Sequence, residues 1–428
     1  MQSQTSINNG SVKEVRIFNA YTPQSGFDIS DLVNEFNIYQ SIDTPFYTGK
    51  IVIIDGVGLF NNIYIMGNEI VTVSYSSALP NKPEAINTST FIVTSVEKVQ
   101  SENNNYIYVL SLGSSHWLKN ASTKISQAYS GKSSDIIAQI LKNKLNLTED
   151  EYLISKTTDN IKVVIPNLNI SESLLFISRR ASSPNGTPCF TYEHLDGTME
   201  FSSLENLYSR APLFTYYKNI RLTSDPITTY FNINKLKIDN ISQGYKNIIG
   251  GMYSAKVFAF DMLTRNFIEH KFNLADKEND KTFLNTALYD PVMNINGKGI
   301  QEIADSKIYT ILTSSNGSNT LNPRITSTQG EIGDYHTNAE FKVPFLNSKL
   351  QQLENCVITI EVQGNTSIFP GSIIELSVPS PDFQNSEEED SKRDKFLSGK
   401  YVTIGVRHIF TQQGFKTLAQ LAKDSFGN

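Results

Sequence analysis

Two stretches far apart in the chain carry the same order of residue types, and this repetition restricts the possible folds more than any other feature. Phe91-Ile92-Val93-Thr94-Ser95-Val96-Glu97-Lys98 lies over Tyr401-Val402-Thr403-Ile404-Gly405-Val406-Arg407-His408, aromatic over aromatic and charged pair over charged pair. Each run is followed by a polar turn, Ser101 to Asn105 in the first and Gln412 to Gly414 in the second, and then by a returning strand. Upstream, Gly67 opens Glu69 to Tyr75 as Gly371 opens Ile373 to Val378. Similar order and spacing in two places predict two related β modules.

The second copy shows the pattern most fully. Ile373 to Val378 is an apolar run closed by Pro379, as expected of a strand between turn residues. Val402 to Phe410 alternates, which predicts Val402, Ile404, Val406, His408 and Phe410 on one face. Phe415 to Leu421 is its expected hairpin partner.

A chain of 428 residues exceeds the size at which one core usually stops growing, so two or more domains are expected. Hydrophobic residues make up 39% and aromatics 11%, enough for ordered β-rich structure. There are 37 basic against 43 acidic residues, whereas a dedicated nucleic-acid binder carries a basic excess. Cys189 and Cys356 fit no zinc or CxxC spacing and are expected reduced and structural. Met1 to Gly10 lacks a signal pattern and no apolar run reaches membrane-spanning length, so synthesis in the cytoplasm, a soluble product and no stable membrane association are expected.

In chain order, residues 1–113 read as short strands, Val15 to Phe18, Asn34 to Tyr39, Gly49 to Ile54, Glu69 to Tyr75, Phe91 to Val99 and Tyr106 to Leu112, the pattern of a small barrel or sandwich. Residues 114–210 read as an α+β domain. Within it Trp117 to Ser130 is a mixed connector, Ser133-Ser134-Asp135 caps a helix with the stripe Ile136, Ile137, Ile140, Leu141 and Leu145, and Asn169 with Glu172 forms a capping box for a second helix. Phe190 to His194 and Met199 to Phe201 flank the turn Asp196-Gly197 as a hairpin. Residues 211–240 and 341–428 form the second β module, resuming near Phe341, and 241–340 is an inserted mixed domain with strands at Ser254 to Phe260 and Asn266 to Asn273 and a loop from Ser314 to Ser327.

Chemistry-bearing motifs are scarce. Gly131-Lys132-Ser133 at a helix start resembles the end of a phosphate-binding loop, but Ser126 stands where the first glycine belongs, and helix capping is the better reading. His116, His194, His270, His336 and His408 are isolated in sequence, and His408 on an alternating strand reads as structural. Glu387-Glu388-Glu389-Asp390 lacks the spacing of a calcium loop and reads as a solvated segment. There is no GxSxG or HExxH, so no catalytic residue, cofactor or metal site is expected. The Asn-x-Ser/Thr triplets, such as Asn120-Ala121-Ser122, follow from the high Asn and Ser content.

A family resemblance rests on Leu32-Val33-Asn34-Glu35-Phe36-Asn37-Ile38-Tyr39 with Pro45-Phe46-Tyr47-Thr48-Gly49-Lys50-Ile51, on Asp55-Gly56, Gly67 and Glu69, and on Ser398-Gly399-Lys400-Tyr401, Arg407-His408 and Lys423-Asp424-Ser425. Arg179-Arg180-Ala181-Ser182, Asp196-Gly197 and Phe201-Ser202 extend it through the middle. Together these resemble the baseplate central hub protein of contractile-tailed phages. The resemblance marks Gly49, Asp55, Gly56, Gly67, Glu69, Pro370, Gly371, Gly399, Lys400, Tyr401, Arg407 and His408 as structural or assembly residues.

It implies a mainly β chain with α+β parts: two tail-tube-like antiparallel β-barrels plus two smaller associated domains, assembled as a homotrimer. Such a hub adapts a sixfold tail tube to a threefold central spike in the virion baseplate and leaves a lumen. Its partners are then the spike protein, the tail tube protein and other baseplate proteins, with DNA only in transit. Rival expectations are a tail-associated cell-wall-degrading enzyme, which would need paired carboxylates in a cleft, and the hub half of a phage-like secretion or injection spike.

Overall fold

A computed structural model of the chain describes residues 10–19, 26–56, 58, 65–77, 85–100, 106–218, 226–261, 265–274, 283–288, 294–295, 298–299, 307–313, 339–380 and 393–427. The chain is mainly β. The predicted turn 101–105, loop 314–327 and acidic run 387–390 lie outside the described residues.

Six long strands build the first module, β1 (Val12–Phe18), β2 (Val33–Ser41), β3 (Thr48–Asp55), β4 (Ile70–Ser77), β5 (Ala85–Gln100) and β6 (Tyr106–Ser114), and a two-residue strand, Phe27–Asp28, adds to β1 at the edge. They pair antiparallel in the order β2-β3-β6-β5-β4-β1. The pairing follows from alternation. Val71, Val73 and Tyr75 of β4 point into one core with Phe36, Ile51, Phe91 and Leu110, while Thr72 and Ser74 face outward.

The middle of the chain contributes α1 (Trp117–Ser122), β7 (Lys124–Lys132), α2 (Ser133–Ile140), β8 (Asn160–Asn169), α3 (Ile170–Ser178), β9 (Cys189–Glu193), β10 (Met199–Ser203) and α4 (Leu204–Tyr208). The expected connector 117–130 therefore holds a helix and a strand, and β7 pairs with β8. Asn169 and Glu172 make the predicted capping box: Glu172 N–H donates to Asn169 Oδ1 at 2.8 Å and Asn169 N–H to Glu172 Oε2 at 2.9 Å. The start of α2 is capped differently from expectation. Its N-cap is Lys132, and Ser134 N–H donates across to Thr157 Oγ1 at 3.1 Å. That bond occupies one of the donors a phosphate would need.

The second module comprises β11 (Phe214–Tyr217) and β12 (Lys235–Asn240), and later β16 to β19. Between them lie β13 (Ser254–Asp261), β14 (Asn266–Asn273), β15 (Ile308–Thr313) and α5 (Ala339–Leu353). The strand expected near Phe341 is thus helix α5, and β structure resumes at Cys356. The helix carries Pro344, and its inward side mixes apolar Phe345, Leu346 and Leu353 with polar Ser348, Lys349 and Gln352. Asn347 Nδ2 donates to Gly250 O at 2.9 Å and Ser348 Oγ to Met252 O at 2.6 Å. Such a helix shows little of the apolar periodicity that identifies one.

The module is completed by β16 (Cys356–Gln363), β17 (Ile373–Ser377), β18 (Gly399–Thr411) and β19 (Gly414–Lys423), in the order β12-β16-β19-β18-β17-β11. Strand for strand this is the order of the first module, with one difference: β1 runs antiparallel to β4, whereas β11 runs parallel to β17. The registers agree as well. Ile70 pairs with Ile92 as Ile373 pairs with Val402, and a bulge separates Val93 from Ser95 as one separates Thr403 from Gly405. Equivalent positions also fill equivalent cores. Ile51, Phe91, Val71 and Leu112 belong to the first, and Ile360, Tyr401, Ile374 and Leu421 to the second.

The bulge at Ile404 overturns the expectation that Val402 to Phe410 presents a single face. An extra residue reverses the alternation, because side chains switch faces with every position. Tyr401 and Val406 enter the second core, while Val402 turns to the opposite side and packs with Tyr192, Leu204 and Leu207. Bond pattern also shifts the Gly67 equivalence by one residue. Asn68 N–H donates to Val93 O as Gly371 N–H donates to Thr403 O, and both residues have positive φ, 82° and 81°.

Candidate functional site

The two modules meet where β18 continues past its bulge. On one side β18 pairs with β19 from Val402 to Thr411; on the other, Gly399–Val402 pairs with β17, and Gly405–Thr411 pairs antiparallel with β2. A single strand therefore belongs to both modules, and the sheet runs continuously as β12-β16-β19-β18-β2-β3-β6-β5-β4-β1.

Opposite faces of this seam are built differently. On the inner face Phe410 stacks on Phe36 and Phe415, with ring centroids 5.7 and 4.0 Å apart, so the tip of the second module's hairpin plugs the first module's core. On the outer face Arg407 Nε donates to Asn37 Oδ1 at 3.0 Å, and its Nη2 lies 3.4 Å from Glu35 Oε1. His408, opposite Ile38, is fully buried with Nδ1 3.1 Å from Thr417 Oγ1, and burial pulls its pKa down to about 4.

The remaining marked residues shape strand starts and turns. Gly49 lies buried in β3, Asp55 is buried at its end, and Gly56 is exposed just beyond. Glu69 accepts from Met66 N–H at 2.7 Å and Gly67 N–H at 2.9 Å, holding the turn into β4. Pro370 and Gly371 enter β17, where a Cβ on Gly371 would run into the Tyr192 hydroxyl. Gly399 has φ +118°, and Lys400 N–H donates to Asn285 Oδ1 at 3.0 Å. Tyr401 is fully buried beneath Lys423, whose Nζ lies 4.6 Å from the ring centroid and donates to Ser398 O at 2.9 Å; burial lowers that ammonium to about 8. Only Arg407 and His408 of the marked set reach the seam. Sequence reading missed the specific roles of Phe410, Phe415, Asn37 and Glu35 there, since pairing across so long a separation has no local signal.

A second polar cluster lies on the β9–β10 hairpin. Glu193 is buried and pushed well above the usual carboxylate range by burial, with His116 Nε2 3.6 Å from its Oε1. Burial alone would raise Glu200 too, but His194, 2.9 Å away, and Arg210 outweigh it and hold it low. Tyr192 pairs with Glu200 and Glu193 with Met199, so the two glutamates point to opposite faces of the hairpin. Among the described residues no group of His, Cys, Asp and Glu is arranged to hold a metal ion. Cys189 and Cys356 are free and buried, as expected.

No family model and no curated protein matches the chain in sequence. Solved structures do match in fold. A tail protein from Neisseria meningitidis MC58 aligns over 97% of this chain and 97% of its own, with a TM-score of 0.55 at 12% identity. The chain has the fold of a phage tail protein. The 43 kDa tail protein of prophage MuSo2 from Shewanella oneidensis shares it, with a TM-score of 0.54 at 8% identity over 98% of this chain and all of that one. The likeness runs along nearly the whole chain rather than one part of it.

Proposed function

We propose that this chain is a structural baseplate hub of a virion tail, an adaptor that seats a threefold spike on one face and a sixfold tube on the other. The observation that carries this reading is the repeat itself. Two modules of one strand order, joined edge to edge in one sheet, allow three copies to present six similar units. Each module is taken as one tube-like barrel of such a ring, with neighbouring baseplate proteins and the tail tube protein as further partners. Tail-protein neighbours with matching overall length support the reading.

The continuous sheet presents a mixed outer face that suits DNA in transit. Lys235 and Lys416 share Glu361 at 3.1 and 3.7 Å, and Arg407 neighbours Glu35. Bases interleaved with acids attract phosphate weakly, because only uncompensated bases displace counterions. An enzymatic role is not part of this proposal. The carboxylates that the hairpin gathers face away from each other, and Glu200 is already engaged by His194 and Arg210.

Co-expression with a candidate threefold spike protein, followed by native mass spectrometry, tests the adaptor role. Three copies of each chain are expected. A stable complex of any other ratio, or none, contradicts it.

A further inference from the structure

The repeat leaves two strand edges whose counterparts are already joined. Inside the chain, Gly405–Thr411 of β18 pairs with β2 from Gly405 opposite Ser41 to Thr411 opposite Glu35. Carrying the registers across the repeat makes Ser95 equivalent to Gly405, Glu97 to Arg407 and Lys98 to His408. On the other partner, Lys235, Lys237 and Ile238 of β12 are equivalent to Glu35, Asn37 and Ile38. Among the described residues, β5 beyond Ser95 pairs only with β6, and β12 pairs only with β16. Each is an open edge of the kind that recruits another strand.

We propose that these two edges pair with each other between copies of this chain. Ser95–Gln100 of one copy adds antiparallel to Lys235–Asn240 of the next, with Lys98 opposite Ile238 as His408 stands opposite Ile38. The charges argue for this partner over any other. At the internal seam a base, Arg407, reaches Asn37 and the acid Glu35. At the open edges the signs are reversed together: an acid, Glu97, meets Lys237 and Lys235.

Glu97 is exposed, and the two lysine side chains are 76% and 77% exposed. The lysines hold Glu361 and Asp239 of their own module, but Lys416 also draws on Glu361, so three bases share two acids there. Glu97 supplies the third. Pairing β5 with another β5 would set like charges together, as would β12 with β12, so the contact is head-to-tail. A head-to-tail contact closes into a ring when its rotation permits. Repeating the internal seam between copies makes every junction in that ring alike.

One difference sets the strength of the outer seam. Gln100 occupies the position of Phe410, so the contact between copies lacks the aromatic plug and depends on backbone bonds and charge. It should weaken as salt rises.

This inference deepens the hub reading and rests on it for ring closure. The test uses the full chain with its spike protein at low salt, with association followed by sedimentation. Glu97→Lys should weaken assembly roughly five- to tenfold, as expected for reversing one charge in a local network. Adding Lys235→Glu and Lys237→Glu should restore it. A carbodiimide cross-link from Glu97 of an isotope-labelled copy to Lys235 or Lys237 of an unlabelled one is expected in the wild type. If the trimeric complex forms but Glu97→Lys changes nothing and that cross-link is absent, the edge pairing is wrong and the hub reading survives. If the wild-type chain never assembles, both fall.

Discussion

Arg407 and Asn37, 370 residues apart in sequence, are joined by a hydrogen bond of 3.0 Å across the seam between the two modules. Behind that bond Phe410 of one module stacks on Phe36 of the other. The seam therefore has a polar outer surface and an apolar plug, and the two contribute unequally to stability. Phe410→Ala removes a buried ring and should cost about 3–5 kcal/mol. Arg407→Ala removes a half-exposed contact and should cost roughly 1 kcal/mol or less. Denaturant unfolding of the two variants checks the order; equal costs would mean that the plug is not what holds the modules together.

Glycines at the two strand entries should differ in their tolerance. Gly371 and Gly67 both have positive φ, 81° and 92°. Around Gly67 an added Cβ meets open space, so Gly67→Ala costs backbone strain alone, about 1 kcal/mol. At Gly371 the new methyl also strikes Tyr192 and Leu207. Gly371→Ala should therefore lose at least about 2 kcal/mol more, from overpacking added to strain, and should melt clearly below Gly67→Ala. Equal melting temperatures would refute the steric account.

Much of this was legible in the sequence, and the losses have physical causes. The hairpins, the Asn169–Glu172 capping box and the likeness of Phe91–Lys98 to Tyr401–His408 are local patterns. Helix α5 was hidden because its buried side mixes Phe345, Leu346 and Leu353 with Ser348, Lys349 and Gln352 and because it carries Pro344. The face reversal at Ile404 was hidden because an inserted bulge residue breaks alternation without changing composition. Of the seam, Arg407 and His408 were marked by resemblance. Their partners Asn37 and Thr417 come from other strands, and Phe410 and Phe415 resemble any strand aromatic until the tertiary contact is seen.

His408 should make stability depend on pH. Its imidazole titrates near 4 when folded against 6.5 when free, lowered by burial. A lowered folded pKa gives stability that is complete above 6.5 and is lost as pH falls toward 4. At about 1.4 kcal/mol per pH unit below 6.5, the wild type should lose about 2 kcal/mol from this group between pH 7 and 5. His408→Gln, which keeps a polar group beside Thr417, should show less of that loss in paired melts at the two pH values. Parallel pH curves for the two proteins would rule out His408 as the source.

DNA should pass without being held. Polarisation with a short duplex at low salt is expected to show dissociation no tighter than about micromolar, the strong end of ordinary non-specific binding. A tighter, steeply salt-dependent complex would show that the outer sheet face grips phosphate and would remove it as a transit wall.

End-on electron-microscopy views of the chain co-purified with its spike count the modules around the ring. A closed ring of six similar lobes, two from each of three copies, around an open centre is expected. A ring with any other number of lobes, or a complex in which each chain contributes one lobe, would contradict the hub reading.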